Sequence, residues 1–301
     1  MGILSRTWTL TKVRLLLATR NRAFFFFSLV MPLIFLVGAV VFIGNRTQWA
    51  GYILGAILTT TVMGSFWGLS VQLVTFREQG ILRRFRIAPV GAGPMLASSI
   101  ISNYFMALPV VLLEIFVCRF ILHMQNWGNL WAIFLLVTIG SATFSSLGLI
   151  VASVTNTMQE TQMINNLIWM GFIFLGGATI PIGTFPKWLQ RISLFIPAQY
   201  LATGLQSAAT WQASFAEIFE DSVALSFGLF LAFEMSRRLF RWEPEAKAPK
   251  HAKLWVIAAF VPFLIFGIWE NVYGSQLHRV NHNFQSLRRM IPAQMMAPRE
   301  H

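Results

Sequence analysis

Twenty consecutive positions, Phe24 to Ile43, carry no charge, and Ser28 is the only polar side chain among them. At least five further blocks of the same kind follow. The hydrocarbon layer of a bilayer is about 30 Å thick and needs roughly twenty helical residues to cross it. Lipid offers no hydrogen-bond partner to an open backbone, so such blocks span as helices. Composition agrees: the chain is 56% hydrophobic and 11% charged, against about 25% charged for a soluble domain. The expected fold class is an all-α polytopic membrane protein.

The net charge of +12 resembles that of a nucleic-acid-binding chain. Here the cations lie in the loops, as orientation signals do, so nucleic acid is not an expected partner. The one cysteine, Cys118, sits in an apolar run and excludes both an intrachain disulfide and a thiolate metal cluster. His278 and His282 are spaced i, i+4 with no nearby carboxylate. They read as a solvated face rather than a metal site. Arg6, Lys12, Arg14, Arg20 and Arg22 precede the first block. That block is too long for a signal peptide and reads as a retained first span.

The expected spans are 24–43, 52–74, 95–122, 127–153, 163–182 and 217–236, with a weaker seventh at 254–270. Trp49, Tyr52, Trp127, Trp131, Trp242, Trp255, Trp269 and Tyr273 fall near their ends, where interfacial aromatics belong. The N-terminal cations, Arg77, Arg83, Arg84 and Arg86 in loop 75–94, and Arg237, Arg238, Arg241, Lys247, Lys250 and Lys253 in 237–253 share one side. They make fifteen of the 23 Lys and Arg. That side is expected to be cytoplasmic, with the N-terminus inside. The localisation expected is a cell inner or plasma membrane. The organisation follows: a cytoplasmic amphipathic segment 1–23, a six-helix domain 24–242, a polar linker 243–253, and an extra hydrophobic helix with a polar tail, 254–301.

The seventh block contains Pro262 and is short. If it crosses, Arg279, Arg288, Arg289 and Arg299 lie outside, against the charge rule; a re-entrant or interfacial helix would keep them inside. Crossing is favoured, because the first helix usually sets the orientation. Two flanking segments are amphipathic: Leu4, Trp8 and Leu15 share a helical face, as do Trp188, Leu189, Ile192, Phe195 and Ile196 in the outer loop. Gly176-Gly177, Pro181, Pro186 and Pro197 break that outer region. Broken backbone at membrane depth must be covered by protein or reach water, which points to a partly re-entrant hairpin at the outer mouth.

No P-loop, G-x-S-x-G or H-E-x-x-H pattern occurs, so no catalytic site is expected. Glu114 is the one carboxylate deep in a span, with Arg119 five residues on. It is a candidate intramembrane polar site, or simply a residue facing the bundle interior, paired or protonated. Loop 75–94, TFREQGILRRFRIAPVGAGP, places Ile81, Leu82 and Phe85 on one arc of a short helix with Arg83 and Arg84 elsewhere. Gly80 permits a bend before it and Pro89 ends it. The element would rest on lipid headgroups or insert in a partner's groove. Thr157-x-x-Glu160 is a capping box.

Three stretches in this order resemble one family. They are Arg77-Glu78-Gln79-Gly80 with Leu82-Arg83-Arg84 and Ala88-Pro89-Val90; Asn156-Thr157-Met158-Gln159-Glu160 running to Gly176-Gly177 and Pro181; and Phe185-Pro186-Lys187-Trp188-Leu189 through Ile196-Pro197 and Tyr200 to Gly204-Leu205. Together with the six spans they resemble the permeases of ABC-2 type transporters, over about residues 1–242. The resemblance implies a six-helix permease core, acting as the membrane subunit of an ABC exporter; the seventh C-terminal helix is expected from its apolar run alone. It implies a separate ABC ATPase subunit, which holds the ATP and Mg, so that this chain binds no cofactor and is not itself an enzyme. It implies a second permease copy, identical or related, and an amphiphilic cargo. It assigns coupling to Arg77, Glu78, Gly80, Arg83, Arg84 and Pro89, with a second-loop contact at Asn156, Gln159 and Glu160. The rivals are a self-sufficient ion- or proton-coupled carrier and a membrane scaffold without transport. Residues 243–301 lie beyond the resemblance.

Overall fold

The computed structural model describes residues 3–20, 49–83, 91–242 and 252–289, with the isolated positions 30, 34 and 38. The expected first span, 24–43, lies outside the described residues apart from those three positions, and Arg84 and Pro89 lie wholly outside. What is described is helical. Helix α1 is Ile3–Arg20, α2 Ala50–Glu78, α3 Ala92–Phe120, α4 Leu130–Val154 and α5 Met158–Leu175. A short 3-10 turn, Ile182–Thr184, leads to α6 Lys187–Ser193 and α7 Pro197–Thr210. Then come α8 Phe219–Leu239, α9 Ala252–Tyr273 and α10 Ser275–Arg289.

Helices α2 and α4 form the centre. Both are buried on most sides, and α2 touches α3, α4, α5 and α7. Small residues set their spacing, as they do where helices meet in lipid. A Cβ built on Gly148 of α4 would sit 2.1 Å from the Phe66 carbonyl oxygen of α2, and one on Gly55 of α2 would sit 2.6 Å from the Gln206 Cα of α7. The core between them is aliphatic and aromatic: Leu58, Val62, Phe66, Leu136, Phe144 and Leu201 are all buried. Threonines inside the helices return their hydroxyls to the preceding turn, as Thr59 does to the Gly55 carbonyl at 2.7 Å, so they cost no stranded donor.

Among the described residues, α2, α3 and α4 are long and apolar enough to cross a membrane. Their bounds match the expected second, third and fourth spans closely; α8 is a helix over the segment of the expected sixth but is not apolar enough to stand with them. The fifth departs: α5 ends at Leu175 rather than at 182. The cause is Gly176-Gly177. Gly177 has φ +78, a left-handed conformation that glycine adopts without penalty. The chain then turns back, and α7 enters the bundle between α2, α4 and α8 with nearly every residue buried. The broken region expected from the glycines and prolines is a partly exposed turn and short helix that leads into the buried α7.

The amphipathic expectations hold in part. In α6 the buried residues are Gln190 and Ser193, while Trp188 and Ile192 point outward. In α1, Trp8 and Leu16 are exposed, and the face packed on α3 carries Thr11, whose carbonyl receives the Ser102 hydroxyl. Pro262 does not interrupt α9. The tail expected to be only polar beyond it folds as α10 against the bundle, and within it His278 and His282 are exposed.

Candidate functional site

The end of α2 meets the start of α5 and the end of α8, and the described ones among the predicted coupling residues, Arg77, Glu78, Gly80 and Arg83, lie there. Arg77 closes α2 and is 1% exposed. Its guanidinium donates to the Ala152 carbonyl at 2.7 Å and to the Thr155 carbonyl at 2.5 Å. Arg241, just past α8, donates to the same Thr155 carbonyl at 2.6 Å and to the Asn156 side-chain oxygen at 3.0 Å. The carbonyls at the end of α4 have no further helix turn to bond, and a planar fork of donors suits two such acceptors at once. Burial pulls the Arg241 pKa below its ordinary range, against the opposing field of Glu160.

Glu78 sits one residue on. Its carboxylate accepts from the Met158 N–H at 2.8 Å, the open end of α5 where a negative charge is favoured. Thr157 caps the same helix by accepting from the Glu160 N–H at 3.2 Å, and Glu160 accepts from the Asn156 N–H at 2.7 Å. The Thr157 half of the expected capping box is thus present, while Glu160 reaches one residue past the cap, and Thr155 and Thr161 are hydrogen-bonded beneath it at 2.7 Å. Glu78 is exposed beside Arg77, yet its carboxylate also makes a specific bond across helices. It ties α2 to α5.

Gly80 has φ +67, and a Cβ there would meet nothing within 4 Å. Its role is conformational, letting the chain reverse after Gln79. The turn that follows lays Leu82 fully buried against Leu73, Met95, Leu96 and Leu149; of the other members of the expected arc, Ile81 is half-buried and Phe85 lies outside the described residues. Arg83 points outward. Exposed polar groups at this end therefore include Glu78, Gln79, Arg83, Asn156 and Gln159. Glu234 pairs with Arg237 at 2.9 Å and with Arg238 at 2.8 Å beside them. From α1, Arg14 lies over the Phe76 ring at 5.7 Å, and burial lowers its pKa to about 10. Sequence reasoning missed the pairing of Arg241 with Thr155. A lone arginine after a span reads as an orientation charge, and nothing local reveals that two arginines distant in sequence share one carbonyl.

Glu114 is elsewhere, fully buried in the last third of α3. It accepts from the Thr61 hydroxyl of α2 at 2.5 Å. Arg119 does not reach it. That guanidinium instead donates to the carbonyls of Met124 and Gln125 and stacks on Trp127 at 5.3 Å. No group of His, Cys, Asp and Glu that would hold a metal ion occurs among the described residues.

The arrangement is mechanical rather than catalytic: four helix ends are tied by two buried guanidinium groups and one carboxylate, beside an exposed polar turn. Comparison with known proteins gives it a context. The family model described as ABC-2 type transporter matches residues 5–209. The chain is 26% identical over 156 residues to the probable multidrug ABC transporter permease YbhS of Escherichia coli, covering 52% of this chain and 39% of that protein. It is 28% identical over 149 residues to the linearmycin resistance permease protein LnrN of Bacillus subtilis, covering 48% and 37% respectively. The matches thus span about two-fifths of the length of those relatives. The family match covers more than half of the chain and contains the clamp formed by Arg77, Glu78 and Thr155, so this multi-helix membrane protein belongs to the ABC-2 type transporter family.

Proposed function

We propose that the chain is the membrane-spanning permease subunit of an ATP-driven exporter, forming half of a translocation pathway with a second copy or a related permease. ATP hydrolysis belongs to a separate subunit, which docks on the end of the bundle that carries Glu78, Gly80 and Arg83. The carrying observation is the clamp at that end. A push on the turn at Gly80–Arg83 meets buried Leu82 and, through Arg77 and Glu78, passes to α4, α5 and α8 together. A coupling device needs rigid attachment of this kind behind an exposed polar tip. Arg84 and Pro89 belong to the same proposed element, and Asn156, Gln159 and Glu160 form its second contact. Both curated relatives carry permease names, one for multidrug transport and one for linearmycin resistance, which favours an amphiphilic cargo.

The same reading places six core helices in 24–242 after a cytoplasmic segment 1–23. A polar linker at 243–253 then leads to a seventh crossing helix. In its support, α9 packs along α8, with Phe263 at Gly228 and Asn271 near the Arg191 carbonyl. It thus runs away from the cationic end. The cytoplasmic side is the cationic one. A cysteine at the exposed position His278, in a Cys118→Ala background, is expected to react with a membrane-impermeant maleimide only from outside the cell. Reaction from the cytoplasmic side alone would remove the seventh crossing.

The subunit assignment is tested by a mild-detergent pull-down from native cells. A P-loop ATPase is expected to copurify, with its recovery reduced roughly ten-fold by Arg83→Glu, since reversing a charge at a docking rim opposes association. A chain that emerges alone from a lipid-preserving extraction would instead favour a self-sufficient carrier, with Glu114 as its intramembrane group.

A further inference from the structure

The bundle end opposite the clamp carries a second built feature, and it lies beyond the residues that the family model matches. Gly274, at φ +70 and with open space around its Cβ position, reverses the chain after α9. Helix α10 then lies back across the end of the bundle. Asp221, fully buried at the start of α8, accepts from the Gln276 amide at 2.6 Å and pairs with Arg279 at 2.8 Å. Arg279 also donates to the Glu217 carbonyl, and the Glu270 carboxylate accepts from the Gln276 N–H at 2.9 Å. Farther along, Asn281 meets Gln190 of α6 and Asn283 meets Ser207 of α7, each at 3.3 Å. Phe284 presses on Gly183 so closely that a Cβ there would lie 2.5 Å from its ring.

Helix α10 lies against the Thr203 and Gln206 part of a polar face of α7. Gln199, Thr203, Gln206 and Thr210 follow i, i+4, i+7 and i+11, one face of α7. Both ends of the Gln199 amide and the Thr210 hydroxyl are buried with no hydrogen-bond partner. Thr203, Gln206 and Trp211, with Tyr52 of α2 and the turn 181–183, line a cavity of about 30 Å³ whose wall also includes Val280, Asn283 and Phe284 of α10. A cavity of that size admits water and little else. The seat of α10 is made mainly of polar bonds, with Val280 its one buried aliphatic side chain among the described residues. Contacts of that kind release more readily than an apolar core.

We propose that α10 is an occlusive cap, latched by Asp221 and hinged at Gly274, which closes the polar cleft between α7 and α2 and must lift before any solute enters it. The proposal rests on the permease reading for its meaning in transport, and on geometry alone for the occlusion.

The test is reaction of a single cysteine at Thr203, in a Cys118→Ala background, with a small maleimide in detergent. With α10 seated, reaction is expected to be slow. The paired change Asp221→Asn with Arg279→Gln removes the latch without stranding a buried charge. It is expected to speed reaction about ten-fold, the scale of one charge-assisted hydrogen bond, while a cysteine at the exposed Ala216 reacts at an unchanged rate. Phe284→Ala removes the cap's wall without touching the charges and should act in the same direction, so it decides the matter if the paired variant unfolds. Fast reaction with α10 intact, or no acceleration in either variant, would overturn the cap. Detergent exposes both bundle ends, so this outcome is independent of sidedness. If the cleft opened in detergent but reacted only from the cytoplasm in cells, the orientation proposed above would fall and the cap would stand.

Discussion

Gly148→Val will leave no folded bundle, and Gly148→Ala will cost about 3 kcal/mol, the upper range for an overpacked core. The obstacle is backbone. A Cβ at position 148 would lie 2.1 Å from the Phe66 carbonyl oxygen and 2.9 Å from its carbon, and neither atom has a rotamer with which to yield. The helices must part, and in lipid their association rests on close van der Waals approach. Phe66 is also packed edge-on to Phe172 at 5.6 Å, so separation at this point reaches α5 as well. Gly171 is the control: its Cβ would meet nothing within 4 Å. Gly171→Ala should melt at or slightly above the parent temperature, since alanine favours a helix over glycine by about 0.5–1 kcal/mol. Thermal melts of the detergent-solubilised variants decide. A parental melt for Gly148→Ala would mean that α2 and α4 do not meet there.

Arg77→Ala will lower stability by about 1–3 kcal/mol, because it strands the buried Ala152 carbonyl and leaves the Thr155 carbonyl to Arg241 alone. The acceptors are Ala152 and Thr155. Arg77→Lys should recover only part of the loss, because one ammonium cannot reproduce two parallel donors of a planar fork. Arg83→Ala, by contrast, removes an outward side chain and should stay within about 0.5 kcal/mol of the parent, as surface changes do. Melting curves for the three variants therefore separate the arginine that holds the bundle from the one offered to a partner. Equal, small shifts at positions 77 and 83 would refute that division.

The long uncharged blocks made much of this architecture readable in the sequence. Hydrophobic length is a local property, and α2, α3, α4 and α8 appear close to where it put them. The cap at Thr157 and Glu160 was legible for the same reason, since all its partners lie within four residues. What escaped depended on distant partners. The burial of α7 follows from Gly51 and Gly55 on another helix, where α7 backbone fills the space that side chains would take. The seat of α10 depends on Asp221, 58 residues before Arg279. Arg77 and Glu78 were singled out as coupling residues through a resemblance, and their immediate work proved to be internal: one binds the end of α4, the other the start of α5.

The contact between α2 and α7 also has a consequence for motion. Helix α2 has 29 residues, a rod of about 43 Å at 1.5 Å per residue. Its last turn is gripped by the arginine clamp, while near its beginning it touches α7 backbone with no side chain between them. A joint without side chains has no rotamers in which to absorb strain. A tilt of about 5° imposed at the clamped end would therefore sweep the far end, with α7 attached, through about 4 Å. The chain has a built-in lever arm, whose stroke is set by the length of one helix.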